Sequence, residues 1–182
     1  MKKKGGFTII ELVVALAIMG IAVSIAIPGF SRWLPDYRLK SAATDLYTNL
    51  QLTKMYAVRD NAEWAIYFDP AFDAYQIRYG TGPDGEYIDP GGFSAEKTII
   101  LANYKGGVCF GHGTATGDLG GGWDDEITFS GTFDNTIIFS PRGMSDAEGY
   151  VYVQNEKNIT YAIGSLTTGF ILMRKWTGTA WE

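Results

Sequence analysis

The feature that most constrains this chain is an uncharged, largely aliphatic run from Leu12 to Ser31, close to the N-terminus. About 20 apolar residues span the hydrocarbon core of a bilayer. The run is long enough, and Phe7–Ile10 extend it on the far side of Glu11. Lys2–Lys4 precede it, and no comparable basic cluster follows at once. By the positive-inside rule we expect a cytoplasmic N-terminus and an exported remainder.

A cleaved secretory signal and a plain signal anchor are two simpler explanations of this run, and neither fits it fully. A cleaved secretory signal needs a shorter apolar core followed by a small-residue cleavage site, whereas the small residues at 22–26 lie inside the run. A plain signal anchor accounts for the run but not for Glu11 or for the Gly5-Gly6-Phe7 junction. Because a charged side chain in hydrocarbon is costly and by default indicates function, Glu11 is a candidate functional residue.

After Pro28 the pattern becomes that of an amphipathic helix. Apolar or small residues recur at alternating steps of four and three, which places them on one helix face: Leu39, Ala43, Leu46, Leu50, Thr53 and Ala57. Charged and polar residues fall mostly on other faces: Arg38, Lys40, Asp45, Asn49 and Lys54. Pro28, which lacks an amide hydrogen, predicts a kink or local unwinding where the two helical segments join.

The remainder of the chain predicts short strands separated by turns. The strand segments are 63–68, 75–80, 97–104, 107–111, 135–140, 149–154, 158–164 and 169–176. Asp69-Pro70 predicts a hairpin turn, and Trp176 and Trp181 predict a terminal hairpin with edge packing. Residues 81–95 and 111–134, rich in Gly, Asp and Thr, predict long surface loops. The expected fold class is α+β, a long helix packed on a mostly antiparallel β domain.

Composition narrows the classes of function. A length of 182 residues predicts one globular domain plus an appendage, and 46% hydrophobic residues permit a packed core. The net charge of −5 becomes −8 without Lys2–Lys4, so no basic stripe remains and nucleic-acid binding is disfavoured. The single cysteine, Cys109, cannot form an internal disulfide and is expected to be a small core residue.

Residue types that carry catalysis or bind metals are scarce. His112, between two glycines, is the single histidine, which argues against a catalytic triad or a histidine-rich zinc site. Acidic residues of the predicted loops could hold calcium, but their spacing is not that of an EF-hand, and solvated loops are the better interpretation: Asp84, Asp89, Asp118, Asp124, Asp125 and Glu126. Gly120–Gly122 precedes no helix and predicts no phosphate loop. We therefore expect no catalytic residue, metal or cofactor.

The first thirty residues resemble the class III signal of type IV pilins and pseudopilins. The match is carried by Lys2–Gly6, then Phe7-Thr8-Ile9-Ile10-Glu11, then the aliphatic run. The resemblance implies that a prepilin peptidase cuts after Gly6 and that Phe7, the new N-terminus, is N-methylated. It also implies that Glu11 guides assembly through an ion pair with the terminal ammonium of a neighbouring subunit. Pro28 falls where the family often has a helix-breaking proline.

The second half resembles the minor pseudopilin branch of that superfamily, the GspH/FimT type. The similar stretch is Ile137-Ile138-Phe139-Ser140-Pro141-Arg142-Gly143, followed by the strands at 149–154 and 158–164. The branch lacks the disulfide-closed loop of many major pilins, in agreement with the single cysteine. The implied organisation is a leader at 1–6, a transmembrane and assembly helix at 7–30, an amphipathic helix at 31–61 and an exported β domain at 62–182.

The leading hypothesis is a minor pilin or pseudopilin without catalytic activity, a subunit of a type IV pilus or a type II secretion pseudopilus. The implied partners are the prepilin peptidase/N-methyltransferase, other pilin subunits, the inner-membrane assembly platform and, before assembly, the lipid bilayer. A major pilin or tip adhesin that binds a partner through the loops is the alternative. A signal-anchored enzyme is disfavoured by the scarcity of catalytic residue types.

Overall fold

The computed structural model describes residues 7–79, 94–117, 119, 126–129 and 131–182. The chain divides into two compact units, Met1–Leu34 and Pro35–Glu182. One α-helix, α1 (Ile9–Asp60), contributes to both units. The helical assignment continues through Pro28, and the predicted kink there stays a prediction. Every other element lies in the second unit.

Helix α1 ends in a Schellman motif. Asn61 adopts the left-handed conformation, with φ of 48°. The amide of Ala62 then donates to the carbonyl of Ala57 at 3.2 Å, which satisfies a carbonyl that the helix itself leaves unpaired. Asparagine tolerates this conformation better than most residues. The motif turns the chain back toward the first strand.

The helix face predicted from the sequence is buried. All six predicted positions are fully buried: Leu39, Ala43, Leu46, Leu50, Thr53 and Ala57. Asn49, one of the polar residues that fall mostly on other faces, is also buried. Its side-chain amide donates to the Tyr75 hydroxyl at 2.8 Å, and this bond offsets the cost of burying a polar group. Burial raises the pKa of Tyr75 to about 12.

In the part of the chain that the structure describes, eight strands form two antiparallel four-stranded sheets. They are β1 (Trp64–Asp69), β2 (Ala74–Tyr79), β3 (Ser94–Ile100), β4 (Cys109–Phe110), β5 (Thr136–Phe139), β6 (Gly149–Gln154), β7 (Thr160–Ser165) and β8 (Ile171–Lys175). The strand orders are β3-β2-β1-β5 and β4-β6-β7-β8. Side chains of α1 and of both sheets share one apolar cluster. The α+β class is confirmed, and each predicted strand segment contains a strand.

Two local predictions are wrong. Leu101–Tyr104, predicted as the end of a strand, form a 3-10 helix, whose Leu101 is buried. Part of the predicted 111–134 loop belongs to the core, because Ile127 bridges Val151 and the Phe129 ring stacks on Phe68 at 5.7 Å. Apolar residues isolated in a Gly-rich segment show no periodicity, so the sequence pattern misses them.

The terminal hairpin is confirmed, and its Trp181 packs on the second sheet. Trp176 and Trp181 form an antiparallel bridge. The Trp181 indole N–H donates to the Gly117 carbonyl at 2.7 Å, and its ring packs on Tyr152 at 5.6 Å. Cys109 is half-buried on the edge strand β4 rather than in the core. Burial raises the pKa of its thiol, which makes it a poorer nucleophile.

Candidate assembly segment

The first turn of α1 begins with an N-cap hydrogen bond from Thr8 and carries the residue pattern of a capping box. Thr8 precedes the helix, and its hydroxyl oxygen accepts a hydrogen bond from the amide of Glu11 at 3.3 Å. The Thr8 carbonyl accepts from the amide of Leu12 at 3.2 Å, which starts the helical ladder. Thr8-x-x-Glu11 is the residue pattern of the box, in which the hydroxyl satisfies an otherwise unpaired helix amide. We did not predict this role of Thr8, although the pattern is present in the sequence.

Glu11 therefore occupies a position with two physical consequences. It is exposed in the first turn of α1, where the helix macrodipole favours a negative charge. It is also the one ionisable side chain between Phe7 and Ser31. The capping position explains why a glutamate is tolerated at the helix start, but a glutamine would serve the box equally well. The negative charge itself needs a further explanation.

Phe7 stands immediately before the capping residue and is 84% exposed. The predicted cleavage partner, Gly6, lies outside the described residues. The structure thus describes the Phe7 side of the predicted Gly6–Phe7 cleavage bond and shows that side to be accessible.

The apolar segment around Glu11, Ile9–Ile27, is not packed against other described residues. Ile9–Ile27 is long and apolar enough to cross a membrane, and none of it is buried. Its large side chains are between 49% exposed at Val14 and 85% exposed at Ile9. The hydroxyl of Ser24 donates to the carbonyl of Ile21 at 2.7 Å, so this polar group is satisfied within the helix. Exposed apolar surface on this scale requires lipid or protein around it.

We expect Thr8→Ala to loosen the first turn of α1 without removing the helix. Loss of an N-cap hydroxyl costs about 1 kcal/mol. Amide hydrogen exchange on the detergent-solubilised chain should therefore show roughly fivefold faster exchange at Glu11. Thr8→Ser, which keeps the hydroxyl, should exchange at the wild-type rate. Equal protection of Glu11 in the alanine and serine variants would contradict the capping role.

Those of the other predicted candidates that the structure describes do not gather into a site. Pro28 lies within α1. His112 follows β4, and its carbonyl accepts from the Thr160 hydroxyl at 2.9 Å. Of the acidic candidates, Glu126 is described and is half-buried. The other acidic candidates lie outside the described residues: Asp84, Asp89, Asp118, Asp124 and Asp125. Gly120–Gly122 also lies outside them. Within the described ranges, no group of three His, Cys, Asp or Glu side chains is placed to hold a metal ion.

A known motif matches the segment built around Phe7 and Glu11. Residues 1–27 match the family model described as the prokaryotic N-terminal methylation motif. The matched range contains the basic residues, the predicted cleavage bond, the capping box and the candidate span.

Solved structures similar to this chain include two of the minor pseudopilin EpsH from the type II secretion system of Vibrio cholerae. One has a TM-score of 0.51 at 11% identity, covering 75% of this chain and 95% of that chain. The other has a TM-score of 0.50 at 14% identity, covering 75% and 92%. The type IV minor pilin FimU of Pseudomonas aeruginosa has a TM-score of 0.46 at 13% identity, covering 81% and 94%. No curated protein sequence matches the chain.

The chain thus combines the N-terminal methylation motif with the fold of a minor pseudopilin. The fold prediction from the second half of the sequence is confirmed by the EpsH structures. At 11–14% identity the likeness to EpsH concerns the fold alone.

Proposed function

We propose that this chain is a minor pilin or pseudopilin, a structural subunit that is processed at its N-terminus and assembled into a fibre through α1. The observation that carries the proposal is the position of Glu11. It is the single ionisable side chain between Phe7 and Ser31, lies in an exposed apolar segment four residues after Phe7, and falls within the matched methylation motif. The EpsH-like fold of the second unit supports the same function.

In the proposed processing step, the peptidase/N-methyltransferase cuts between Gly6 and Phe7 and methylates the new terminus. Lys2–Lys4 hold the leader on the cytoplasmic side of the inner membrane, in keeping with the positive-inside rule. Residues 1–6 are then the leader and 7–30 the membrane and assembly helix. Residues 31–61 are the amphipathic helix, and 62–182 are the exported domain. The buried helix face from Leu39 to Ala57 supports the assignment of residues 31–61 as the amphipathic helix.

In the proposed assembly step, the subunit exchanges lipid for other subunits at the inner-membrane assembly platform. Before assembly, Glu11 lies near the membrane interface, where water and the positive end of the helix stabilise its charge. Inside a helix bundle the same carboxylate needs a partner, because an unpaired buried charge is strongly destabilising. The methylated Phe7 ammonium of a neighbouring copy supplies the opposite charge. The pair then specifies the register between subunits.

The alternative, a major pilin or tip adhesin, depends on the predicted loops as a binding surface. Ile127 and Phe129 of the second loop are buried, which reduces the surface that this loop can offer. We therefore favour the structural role.

We expect Gly6→Leu to leave the chain uncut, because a bulky side chain then stands at the bond to be cleaved. Gly20→Leu is the matched control: a Cβ at Gly20 meets nothing within 4 Å, and the span stays apolar. Electrophoresis of membranes should show the precursor for the first variant and the mature chain for the second. A mature band from the Gly6 variant would refute the cleavage site.

A further inference from the structure

Strand β8 is the outer strand of the second sheet, and part of its outer edge is unpaired. In an antiparallel sheet, successive residues direct their backbone groups alternately toward one neighbouring strand and away from it. Lys175 exchanges hydrogen bonds of 2.7 and 3.0 Å with Glu182 rather than with β7, so its backbone groups face outward. By the same alternation, Ile171 and Met173 direct their N–H and C=O groups outward. Among the described residues, none pairs with these two from that side.

The other strand edges in the described ranges are closed, short or protected. On β5, the Ile138 amide donates to the Asp146 carboxylate at 2.7 Å, and the Ile138 carbonyl accepts from the Asp146 amide at 3.0 Å. Strand β4 has two residues. Strand β3 carries the exposed charges Glu96 and Lys97, and its register with β2 shifts at a bulge. Bulges and charges of this kind discourage a further strand from pairing. Strand β8 is therefore the edge best suited to receive one.

The open edge of β8 begins in a groove between this strand and α1. This Lys54 groove has a volume of about 270 Å³ and is lined by Tyr47, Gln51 and Lys54 of the helix and by Gly169, Phe170 and Ile171. Ile171 belongs both to the groove lining and to the open edge, so the two features are continuous. Phe170 is 61% exposed and Met173 is 37% exposed. Side chains of an added strand would find apolar contacts there.

The two segments that form the groove contain no acidic residue. Residues 46–59 and residues 158–181 each contain two basic residues and no Asp or Glu. The whole chain has 20 acidic and 15 basic residues, so the charge of these segments is opposite to the overall balance. The Lys54 ammonium donates to the Gly169 carbonyl at 2.9 Å, which holds a positive charge in the groove. Because opposite charges across an interface favour association, the groove suits an acidic partner.

We propose that the Lys54 groove and the open edge of β8 bind one extended, acidic segment of a different pilin-type subunit. The segment adds to the sheet as a strand, hydrogen-bonds to the outward backbone groups of Ile171 and Met173, and brings a carboxylate to Lys54. One copy of this chain and one partner are sufficient, so the contact suits a minor subunit. The choice of a pilin-type partner rests on the proposed function.

Binding of a labelled synthetic peptide to the full-length, detergent-solubilised chain tests the strand contact. The peptide is a hexamer of alternating threonine and valine with one central aspartate, and its matched control carries asparagine instead. Fluorescence anisotropy should show about threefold tighter binding of the aspartate peptide. Lys54→Met should bind the two peptides equally. Equal binding of both peptides to the wild type, or binding of neither, would overturn the proposal.

Met173→Pro tests the backbone contact, because it removes an outward amide hydrogen and leaves the pairing of β7 with β8 intact. Proline is tolerated on an edge strand where the amide faces solvent. We expect peptide binding to weaken by about tenfold. Thr98→Pro is the matched control on the edge of β3. Its amide also faces outward, since the Leu101 amide donates to the Asp73 carbonyl and alternate residues follow. Equal weakening in both variants would contradict binding at β8.

Photocross-linking in cells tests the choice of partner. Met173→p-benzoylphenylalanine in the full-length chain should yield an adduct of one copy with a different chain, joined through a segment that contains Asp or Glu. The first residue of that chain should itself be N-methylated. Thr98→p-benzoylphenylalanine should give about tenfold less adduct. An adduct between two copies of this chain, or equal adducts from the two positions, would overturn the proposed partner.

Processing at Phe7 and recovery in fibres are scored separately on the same samples. A processed chain in fibres that neither binds the peptide nor cross-links from position 173 would overturn the contact and leave the proposed function standing. Peptide binding that depends on Met173, in a chain that is never cut, would support strand addition at β8 and contradict the proposed function.

Discussion

Glu11→Gln should reduce the share of the chain recovered in fibres by about 100-fold or more, while cleavage after Gly6 continues. Glutamine can replace glutamate in the capping box, so the helix start formed with Thr8 is retained. The negative charge is lost, and a Phe7 ammonium in the fibre interior is left unpaired. Breaking a buried ion pair costs about 3–5 kcal/mol, and each 1.4 kcal/mol corresponds to roughly tenfold in an equilibrium. Quantitative immunoblotting of fibre and membrane fractions measures the effect.

Thr8→Ala is the control that separates charge from capping. It loosens the first turn but leaves the Glu11 carboxylate, so incorporation should fall far less than in Glu11→Gln. If the two variants lost incorporation equally, Glu11 would act through the helix start. If Glu11→Gln assembled normally, the ion pair would have no part in assembly.

Phe68→Ala should strongly destabilise the second unit, Pro35–Glu182. The ring is fully buried, stacks on Phe129 at 5.7 Å and meets Phe110 edge-on at 6.1 Å. Truncation of a buried phenylalanine costs about 3–5 kcal/mol, a large part of the 5–15 kcal/mol typical of a folded domain. We expect a fall in Tm of roughly 10 °C, measured by tryptophan fluorescence on the detergent-solubilised chain.

Phe72→Ala is the matched control for Phe68→Ala, since it removes the same side chain four residues later, at a site 75% exposed. Its stability should stay within about 0.5 kcal/mol of the wild type. Equal destabilisation by both variants would contradict the burial of Phe68.

The sequence predicted the parts of the fold that repeat at a regular period. The buried face of α1 from Leu39 to Ala57 follows helical spacing, and the strands follow short runs bounded by turn residues. Phe129 was missed because an isolated aromatic in a Gly-rich segment has no periodicity, although it completes the core beside Phe68. The 3-10 helix at Leu101–Tyr104 was missed because its composition continues that of β3.

The candidate site was predicted in its chemistry more than in its geometry. Glu11 was singled out by its charge, but its hydrogen-bonded position after Thr8 appeared only in the structure. The hydrogen bond from the Lys54 ammonium to the Gly169 carbonyl could not be predicted, since the two residues are 115 positions apart and meet through tertiary packing. The exposure of Phe72 likewise depends on how the turn after β1 is held.

The most direct test of the central claim is the identity of the N-terminal residue of the chain isolated from its membrane or fibre. We predict that mass spectrometry finds N-methylated Phe7 as the first residue, with residues 1–6 absent and Glu11 retained. A chain that still begins at Met1 would contradict the account. So would a chain cut between residues 22 and 31, in the second half of the apolar run.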